Sequence, residues 1–127
     1  MAKKQSLTTG QAPRAIGTYS QAIRTDNTIY ISGQIPLLPE SLTLVSQNID
    51  EQIQQVMNNL DAVCQNARGN LDAVVKFTVY LTDLNHFDRV NTIMKNFLSE
   101  PFPARAVVEV AALPKQSHIE IDAIMVI

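Results

Sequence analysis

Two charged side chains lie inside apolar, strand-like sequence near the carboxyl-terminal end of the chain. Arg105 stands at the start of "ARAVVEVAAL", and Glu120 lies within "IEIDAIMVI". A guanidinium group presents a planar fork of donors that matches a carboxylate through two parallel hydrogen bonds. A carboxylate that is partly withdrawn from water has a raised pKa and is suited to exchange a proton with water. These residue types therefore allow a carboxylate receptor at Arg105 and a proton-transfer group at Glu120.

Both residues also have an ordinary structural interpretation. Arg105 could form an ion pair with Glu109 or Glu120 that holds the end of a strand in place. Strand alternation places Glu120 and Asp122 on one side, where both could be solvated or paired carboxylates of an outer face. The residues alone leave these alternatives open.

Three further residues are candidates for a functional site. Ser32 precedes Gly33 within "IYISGQIP", and a glycine inside a strand indicates a bulge or a close approach of a ligand to the backbone. A hydroxyl bonded to the main chain is the commoner role for such a serine. Tyr19, in "GTYSQAI", could equally be a core ring whose hydroxyl lies at the rim.

The motifs of several common enzyme classes are missing from the sequence. Cys64 is the only cysteine and lies in an apolar stripe, which excludes an internal disulfide and a cysteine-based zinc site. His86 and His118 lie far apart, no serine stands in a nucleophile elbow, and the four glycines are scattered singly. We therefore expect no metal site.

Composition and charge are those of an ordinary globular protein. The 127 residues are 46% hydrophobic and 17% charged, and we expect one domain over residues 1–127. A net charge of −2 argues against a nucleic-acid partner, which would favour a basic surface. The first residues, "MAKKQSLTTG", lack the apolar stretch of a signal peptide, and no segment has the length and apolarity of a membrane span. We expect a cytoplasmic protein.

Apolar spacing predicts two helices. The first covers residues 49–67, with Asn48 as its amino-terminal cap, Glu51 as the capping-box partner and Gly69 just beyond its end. The second begins at about residue 86, with Asn85 as its cap. Its apolar stripe and the two prolines that stop it are Phe87, Val90, Met94, Phe97, Leu98, Pro101 and Pro103.

Five strands complete the predicted order β-β-α-β-α-β-β, an α+β sandwich of the split βαβ kind. They cover residues 18–25, 28–35, 73–82, about 104–111 and about 118–126. In the third, alternation directs Val75, Phe77, Val79 and Leu81 to one side. Two helices cover only one face of such a sheet. The other face mixes polar and apolar residues, which favours burial against another copy of the chain: Tyr30, Ser32, Val74, Thr78, Tyr80, Glu120 and Ile124.

Several segments together resemble the reactive intermediate deaminase (Rid) family, also known by the names translation inhibitor and L-PSP endoribonuclease. They are "AIGTYSQAI", "IYISGQIP", "VVKFTVYLTDLNHFDRVN", "PARAVVEVAALP" and "IEIDAIMVI", in the family's order from about residue 13 to residue 127. The resemblance implies a chorismate-mutase-like α+β fold. It also implies a homotrimer with clefts between adjacent subunits, without a metal or organic cofactor.

The activity implied by the resemblance is hydrolysis of 2-imino acids, or their enamine tautomers, to 2-oxo acids and ammonia. Such substrates, 2-iminobutanoate and 2-iminopropanoate among them, arise from pyridoxal-phosphate dehydratases that act on threonine and serine. By resemblance, Arg105 binds the substrate carboxylate and Glu120 positions and activates the hydrolytic water. The resemblance further places around the cleft the residues Tyr19, Ser32, Gly33, Asn91 and Val107.

The sequence departs from the family pattern at a few positions near the expected site. Val107 stands where many members have cysteine, so a backbone role is retained without a thiol. Thr18 replaces a common proline, Ala106 a common serine, and Met94 a frequent aromatic residue. These changes concern substrate size and cleft shape more than the reaction. The alternatives are a ribonuclease, as one family name suggests, and a non-catalytic trimer that binds 2-oxo acids or partner proteins.

Overall fold

A six-stranded β-sheet with two α-helices on one face makes up the computed structural model, which describes residues 3–127. The strands are β1 (Gln5–Leu7), β2 (Ala22–Thr25), β3 (Thr28–Gln34), β4 (Val74–Leu81), β5 (Ala104–Glu109) and β6 (Ile119–Val126), and the helices are α1 (Ile49–Asn66) and α2 (Phe87–Lys95). Their spatial order in the sheet is β1-β2-β3-β6-β4-β5. The predicted α+β class is confirmed.

Strand pairing places β6 at the centre of the sheet and β5 at one edge. All neighbouring strands are antiparallel except β4 and β5, which run parallel and are joined through α2. A parallel pair needs such a crossover because a tight turn reverses the direction of the chain and can join only antiparallel strands. The crossover brings Arg105, the second residue of β5, close to α2.

Helix α1 forms as its apolar spacing predicts and supplies much of the core. The side chain of Asn48 accepts a hydrogen bond from the Glu51 amide at 3.1 Å, which confirms the predicted cap. The Glu51 carboxylate accepts a hydrogen bond from the Ser46 hydroxyl at 2.9 Å. The Ser46 hydroxyl oxygen itself accepts a hydrogen bond from the Asn48 amide. The inward residues are at most 1% exposed: Ile53, Val56, Met57, Leu60, Val63 and Cys64.

The strands depart from the sequence prediction at three places. The first predicted strand, residues 18–25, is shorter in the structure and covers Ala22–Thr25. Strand β1 lies outside the five predicted strands; its three residues are too few for a periodic signal, and it is held by pairing with β2. In β4, Val74 is buried and Val75 is exposed, the reverse of the predicted alternation. A register shift between Val74 and Lys76 inserts an extra residue against β6, and such a bulge inverts the faces of the residues before it.

Helix α2 is shorter than predicted and begins differently. A 3₁₀ turn, Leu84–His86, precedes it, and the Asp83 carboxylate caps that turn by accepting from the Asn85 amide at 2.9 Å. The predicted cap at Asn85 is therefore wrong. Phe87, placed in the buried stripe by its spacing, is exposed instead. Neither helix of the described chain has the length and apolarity needed to cross a membrane.

The face of the sheet opposite the helices carries both apolar and polar side chains. Tyr30, Val108 and Val126 are exposed there, although large apolar groups gain free energy on leaving water. Tyr80 and Glu120 lie on the same face and are partly buried. Within one protomer this face has no covering layer among the described residues.

Candidate active site

Arg105 lies at the edge of the sheet with its guanidinium over an aromatic ring. Its Cζ atom is 5.5 Å from the centroid of the Phe87 ring, within the range of a cation–π interaction. Within residues 3–127 it forms no ion pair. Glu109, one of the partners considered from the sequence, instead accepts a hydrogen bond from the Leu84 amide at 3.0 Å. The guanidinium fork is therefore open to an external anion.

A cavity of about 480 Å³ adjoins Arg105 on the side of α2. Its volume lies in the range that small-molecule sites occupy. Three polar residues, Asn91, Lys95 and Arg105, stand among the residues that line it. The remaining walls are apolar: Phe77, Met94, Leu98, Phe102 and Pro103. An acid with an apolar body would match both parts of this lining.

Glu120 is held against a glycine on the uncovered face of the sheet. A Cβ atom added to Gly33 would overlap Oε2 of Glu120 and lie 2.9 Å from its Cδ. The register of β3 against β6 shifts between Ile31 and Gln34, so Gly33 belongs to a bulge at this point. The predicted bulge at Gly33 is confirmed, and the group that lies close to the glycine is the Glu120 side chain.

The environment of Glu120 favours its protonated form. Burial raises the pKa of the Glu120 carboxyl, and the nearby negative charge of Asp122 raises it further. Asp122 accepts a hydrogen bond from the Tyr80 hydroxyl at 2.9 Å, and that bond raises the pKa of Tyr80. A carboxylate with a raised pKa binds a proton more readily, as a general base must.

Ser32 and Tyr19 lie near the Gly33 bulge. The Ser32 hydroxyl donates to the Ser20 carbonyl at 2.5 Å, which is the main-chain role considered from the sequence. Tyr19, next to Ser20, is 53% exposed, and its hydroxyl oxygen accepts from the Ile16 amide at 3.2 Å. The core position considered for Tyr19 is therefore wrong, and both hydroxyls lie toward the surface.

The two charged residues leave the sheet on opposite faces. Arg105 is paired with Phe77 of β4, which points into the core beneath the helices. Glu120 is paired with Tyr80, which belongs to the other face, because successive residues of a strand alternate. A single protomer therefore does not bring Arg105 and Glu120 to one point.

The expected site residues thus form two groups. Arg105, Asn91 and Val107 make up the arginine half-site: Asn91 lines the cavity, and Val107 follows Arg105 on the same face of β5. The glutamate half-site comprises Glu120, Gly33, Ser32 and Tyr19. The sequence suggested each residue but gave no sign that the groups lie on different faces.

Three residues of these regions were not expected as part of a site. Apolar spacing places Phe87 in the stripe of the second helix and assigns no role to Phe102 or Lys95. Their apolar or charged types alone carried no signal, because only the crossover of β4, α2 and β5 brings them together.

Other chemistries find little support in the described part of the chain. No group of three or more His, Cys, Asp or Glu side chains in residues 3–127 is placed to hold a metal ion. Cys64 is buried in the core, and burial raises the pKa of its thiol to about 12, with a further contribution from Asp61. Such a thiol is protonated at neutral pH and is a poor nucleophile.

Comparison with known proteins places these features in one family. The family model "Endoribonuclease L-PSP" matches residues 9–127. The 2-iminobutanoate/2-iminopropanoate deaminase of Homo sapiens is 46% identical over 123 residues, which are 97% of this chain and 90% of that protein. The deaminase of the same name from Dermatophagoides farinae is 39% identical over 127 residues, covering 100% of this chain and 99% of that protein.

Solved structures show the same fold. RidA from the Antarctic bacterium Psychrobacter sp. PAMC 21119 is 49% identical, with a TM-score of 0.94 over 97% of this chain and 99% of that one. E. coli TdcF with bound serine is 33% identical, with a TM-score of 0.92 over 98% of this chain and 99% of that one. The fold is thus the chorismate-mutase-like arrangement of the Rid proteins, as the resemblance implied.

Proposed function

Because this chain belongs to the endoribonuclease L-PSP family, which includes the RidA-like deaminases, we propose that it hydrolyses 2-imino acids to 2-oxo acids and ammonia. The observation that carries the proposal is the open guanidinium of Arg105 beside a small-molecule cavity. Relatives that share most of the chain bear the name 2-iminobutanoate/2-iminopropanoate deaminase. The TdcF structure contains serine, an amino acid with the same carboxylate group as the proposed substrates.

Each candidate residue has a role in this reaction. Arg105 binds the substrate carboxylate through two hydrogen bonds and so fixes the neighbouring imine carbon. Glu120 accepts a proton from a water molecule as the oxygen attacks that carbon of the protonated imine, which gives a neutral carbinolamine. Glu120 then returns the proton to the nitrogen, and the C–N bond breaks as the hydroxyl gives its own proton to Glu120 and becomes the carbonyl. Ammonia leaves and takes up that last proton. Water and the imine are the only reactants, so the step balances without an oxidant or reductant.

A second copy of the chain completes the proposed site. The arginine and glutamate half-sites leave the sheet on opposite faces, so the arginine half-site of one protomer must meet the glutamate half-site of another. Such a head-to-tail contact is heterologous and is satisfied everywhere in a closed ring. The exposed apolar residues of the uncovered face would be buried by it. We propose the homotrimer as that ring, in a cytoplasmic protein of one domain.

The reaction is tested by the loss of an imine generated in place. A threonine dehydratase produces 2-iminobutanoate, and semicarbazide traps the imine that has not yet been hydrolysed. The protein should make the imine disappear faster than it does in buffer alone. Arg105→Ala should lower kcat/KM by at least about a hundredfold, since it removes two charge-assisted bonds. Arg89→Ala is the matched control: this exposed arginine of α2 is paired with Asp50 at 2.8 Å and should have little effect on turnover. An active Arg105→Ala protein would contradict the proposal.

Mixing two inactive variants tests whether the site is shared. Arg105→Ala and Glu120→Gln proteins are unfolded together, refolded as a mixture and assayed. If each site takes one half from each of two protomers, about a quarter of the sites regain both intact residues. If both residues act within one protomer, the mixture stays inactive. Light scattering of the wild-type protein measures whether the assembly is a trimer.

A ribonuclease activity is the alternative that the family name raises. The net charge of −2, from ten Lys and Arg against twelve Asp and Glu, argues against a phosphate backbone as ligand and favours the small acid. RNA cleavage that persists through repeated purification and disappears in Arg105→Ala or Glu120→Gln would favour the nuclease instead.

A further inference from the structure

We infer that the cavity beside Arg105 receives the side chain of the substrate and gives this protein a preference for 2-imino acids with larger apolar side chains. The inference rests on the proposed function and names the substrates that the same site should process fastest. An imine derived from leucine represents the favoured class, and 2-iminobutanoate represents the short substrates. The residues that set the preference are Met94 and Phe102.

The position of the cavity determines which part of the substrate can enter it. Arg105 lines the cavity, so a carboxylate on its guanidinium lies at the cavity wall. The imine carbon is bonded to that carboxylate carbon and to the first carbon of the side chain. When the imine nitrogen faces the partner's half-site, the side chain can point into the cavity beneath α2.

The lining of the cavity selects apolar groups. Met94 is 2% exposed and Phe77 is fully buried, and together they form an apolar base. Phe102 is 51% exposed and offers an apolar wall that a bound side chain would cover. No carboxylate stands among the lining residues, and methionine adapts its shape to different occupants. A short side chain would leave most of this surface in contact with water.

The size of the preference follows from the apolar surface removed from water. Each additional buried methylene contributes between about fourfold and tenfold in kcat/KM when it enters an apolar pocket. The leucine-derived imine carries two more carbon atoms than 2-iminobutanoate. Its kcat/KM should therefore exceed that of 2-iminobutanoate by at least about tenfold.

Lys95 offers the competing possibility of a charged side chain. Its ammonium group lines the same cavity, and it forms no ion pair within the described residues. It would suit an imine derived from glutamate, whose second carboxylate could reach it. The apolar residues outnumber the cations in the lining, so we favour the apolar side chain and use the glutamate imine as the opposing substrate.

The test compares rates for three imines in the assembled wild-type protein. An amino-acid oxidase with catalase generates the imines from leucine and glutamate, and a dehydratase generates 2-iminobutanoate. The readout is the ratio of kcat/KM for the leucine imine to that for 2-iminobutanoate. Calorimetry with the corresponding 2-oxo acids supplies an independent measure that does not depend on turnover.

Two variants test whether the cavity sets the ratio of kcat/KM for the leucine imine to that for 2-iminobutanoate. Met94→Phe fills the base and should lower the ratio by about tenfold, and Phe102→Ala removes the wall and should lower it by about fourfold. Thr92→Phe is the matched control, because it adds the same ring at an exposed position of α2 outside the cavity lining. If Met94→Phe fails to fold, Phe102→Ala and the calorimetry decide.

The outcomes separate this inference from the proposed function. Equal or slower turnover of the leucine imine, with 2-iminobutanoate still hydrolysed, overturns the inference and leaves the deaminase intact. A preference for the glutamate imine also overturns it and points to Lys95. Failure to hydrolyse any of the three imines contradicts the proposed function itself.

Discussion

The arginine half-site and the glutamate half-site differ in how firmly the protomer holds them. Glu120 lies on β6, which is paired on both sides, and its side chain is packed against the Gly33 bulge. Arg105 lies on the edge strand β5 and is exposed, and within residues 3–127 its guanidinium contacts the Phe87 ring and forms no ion pair. The protomer therefore positions Glu120, the proposed base, whereas Arg105, the proposed anion receptor, keeps the freedom of a long side chain.

This difference matches the tasks proposed for the two residues. A general base must be positioned before the reaction, because small displacements of a reacting group lower the rate steeply. A carboxylate receptor can be ordered by the ligand itself, since the two charge-assisted bonds fix the guanidinium as they form.

The largest effect is expected at the packed glutamate. In Gly33→Ala the new methyl group displaces the Glu120 carboxylate, and kcat/KM should fall by about a hundredfold. The fold should persist, because the overlapping atoms belong to a side chain that can rotate away. Steady-state kinetics and thermal unfolding measure the two properties separately.

Gly10→Ala is the control for this change. An added Cβ at Gly10 meets no atom within 4 Å, so activity and stability should both stay near those of the wild type. Full activity in Gly33→Ala would show that the contact with Gly33 does not position Glu120, and the contrast between the half-sites would be lost.

A smaller effect is expected at the ring beneath the arginine. An exposed cation–π contact contributes about 0.5–1 kcal/mol, so Phe87→Leu should raise KM by about two- to fivefold with kcat nearly unchanged. Phe87→Tyr keeps an aromatic face and should restore most of the binding. A fall in kcat alone would mean that the ring acts in the chemical step and that Arg105 does not depend on it.

The smallest effect is on stability and its dependence on pH. Burial raises the pKa of Glu120 above its ordinary value of 4.5, so the folded protein holds this proton more tightly than the unfolded chain. The contribution of Glu120 to the free energy of unfolding therefore falls as the pH rises from the ordinary pKa to the raised pKa of the folded state. Above the raised pKa, the whole destabilising effect of the buried carboxylate is present. Glu120→Gln should unfold at a higher temperature than the wild type near neutral pH.

That difference should shrink as the pH falls from neutrality towards 4.5, and it should be small below 4.5, where the wild-type carboxyl is protonated in both states. Thermal unfolding across this range gives the measurement. Glu40→Gln, at an exposed position, is the matched control and should not show the trend. A less stable Glu120→Gln protein at neutral pH would mean that the carboxylate is stabilised by partners in the assembly.

Local signals in the sequence predicted the parts of the fold that depend on neighbouring residues. Helix α1 follows from apolar spacing over five turns and a cap residue, both of which act within a few positions. The exchanged positions of Val74 and Val75 could not be predicted in this way, because the bulge exists only in the register of β4 against β6. Strand β1 likewise depends on a partner strand that lies far along the chain.

The sequence by itself determined the residue types of the site, the core of α1 and the resemblance to one family, because each depends on identity and spacing along the chain. Only the tertiary structure decided that Arg105 and Glu120 leave the sheet on opposite faces and that an apolar cavity adjoins the arginine. The physical reason is that the direction of a strand residue depends on register with distant strands, where a shift of one residue inverts the face.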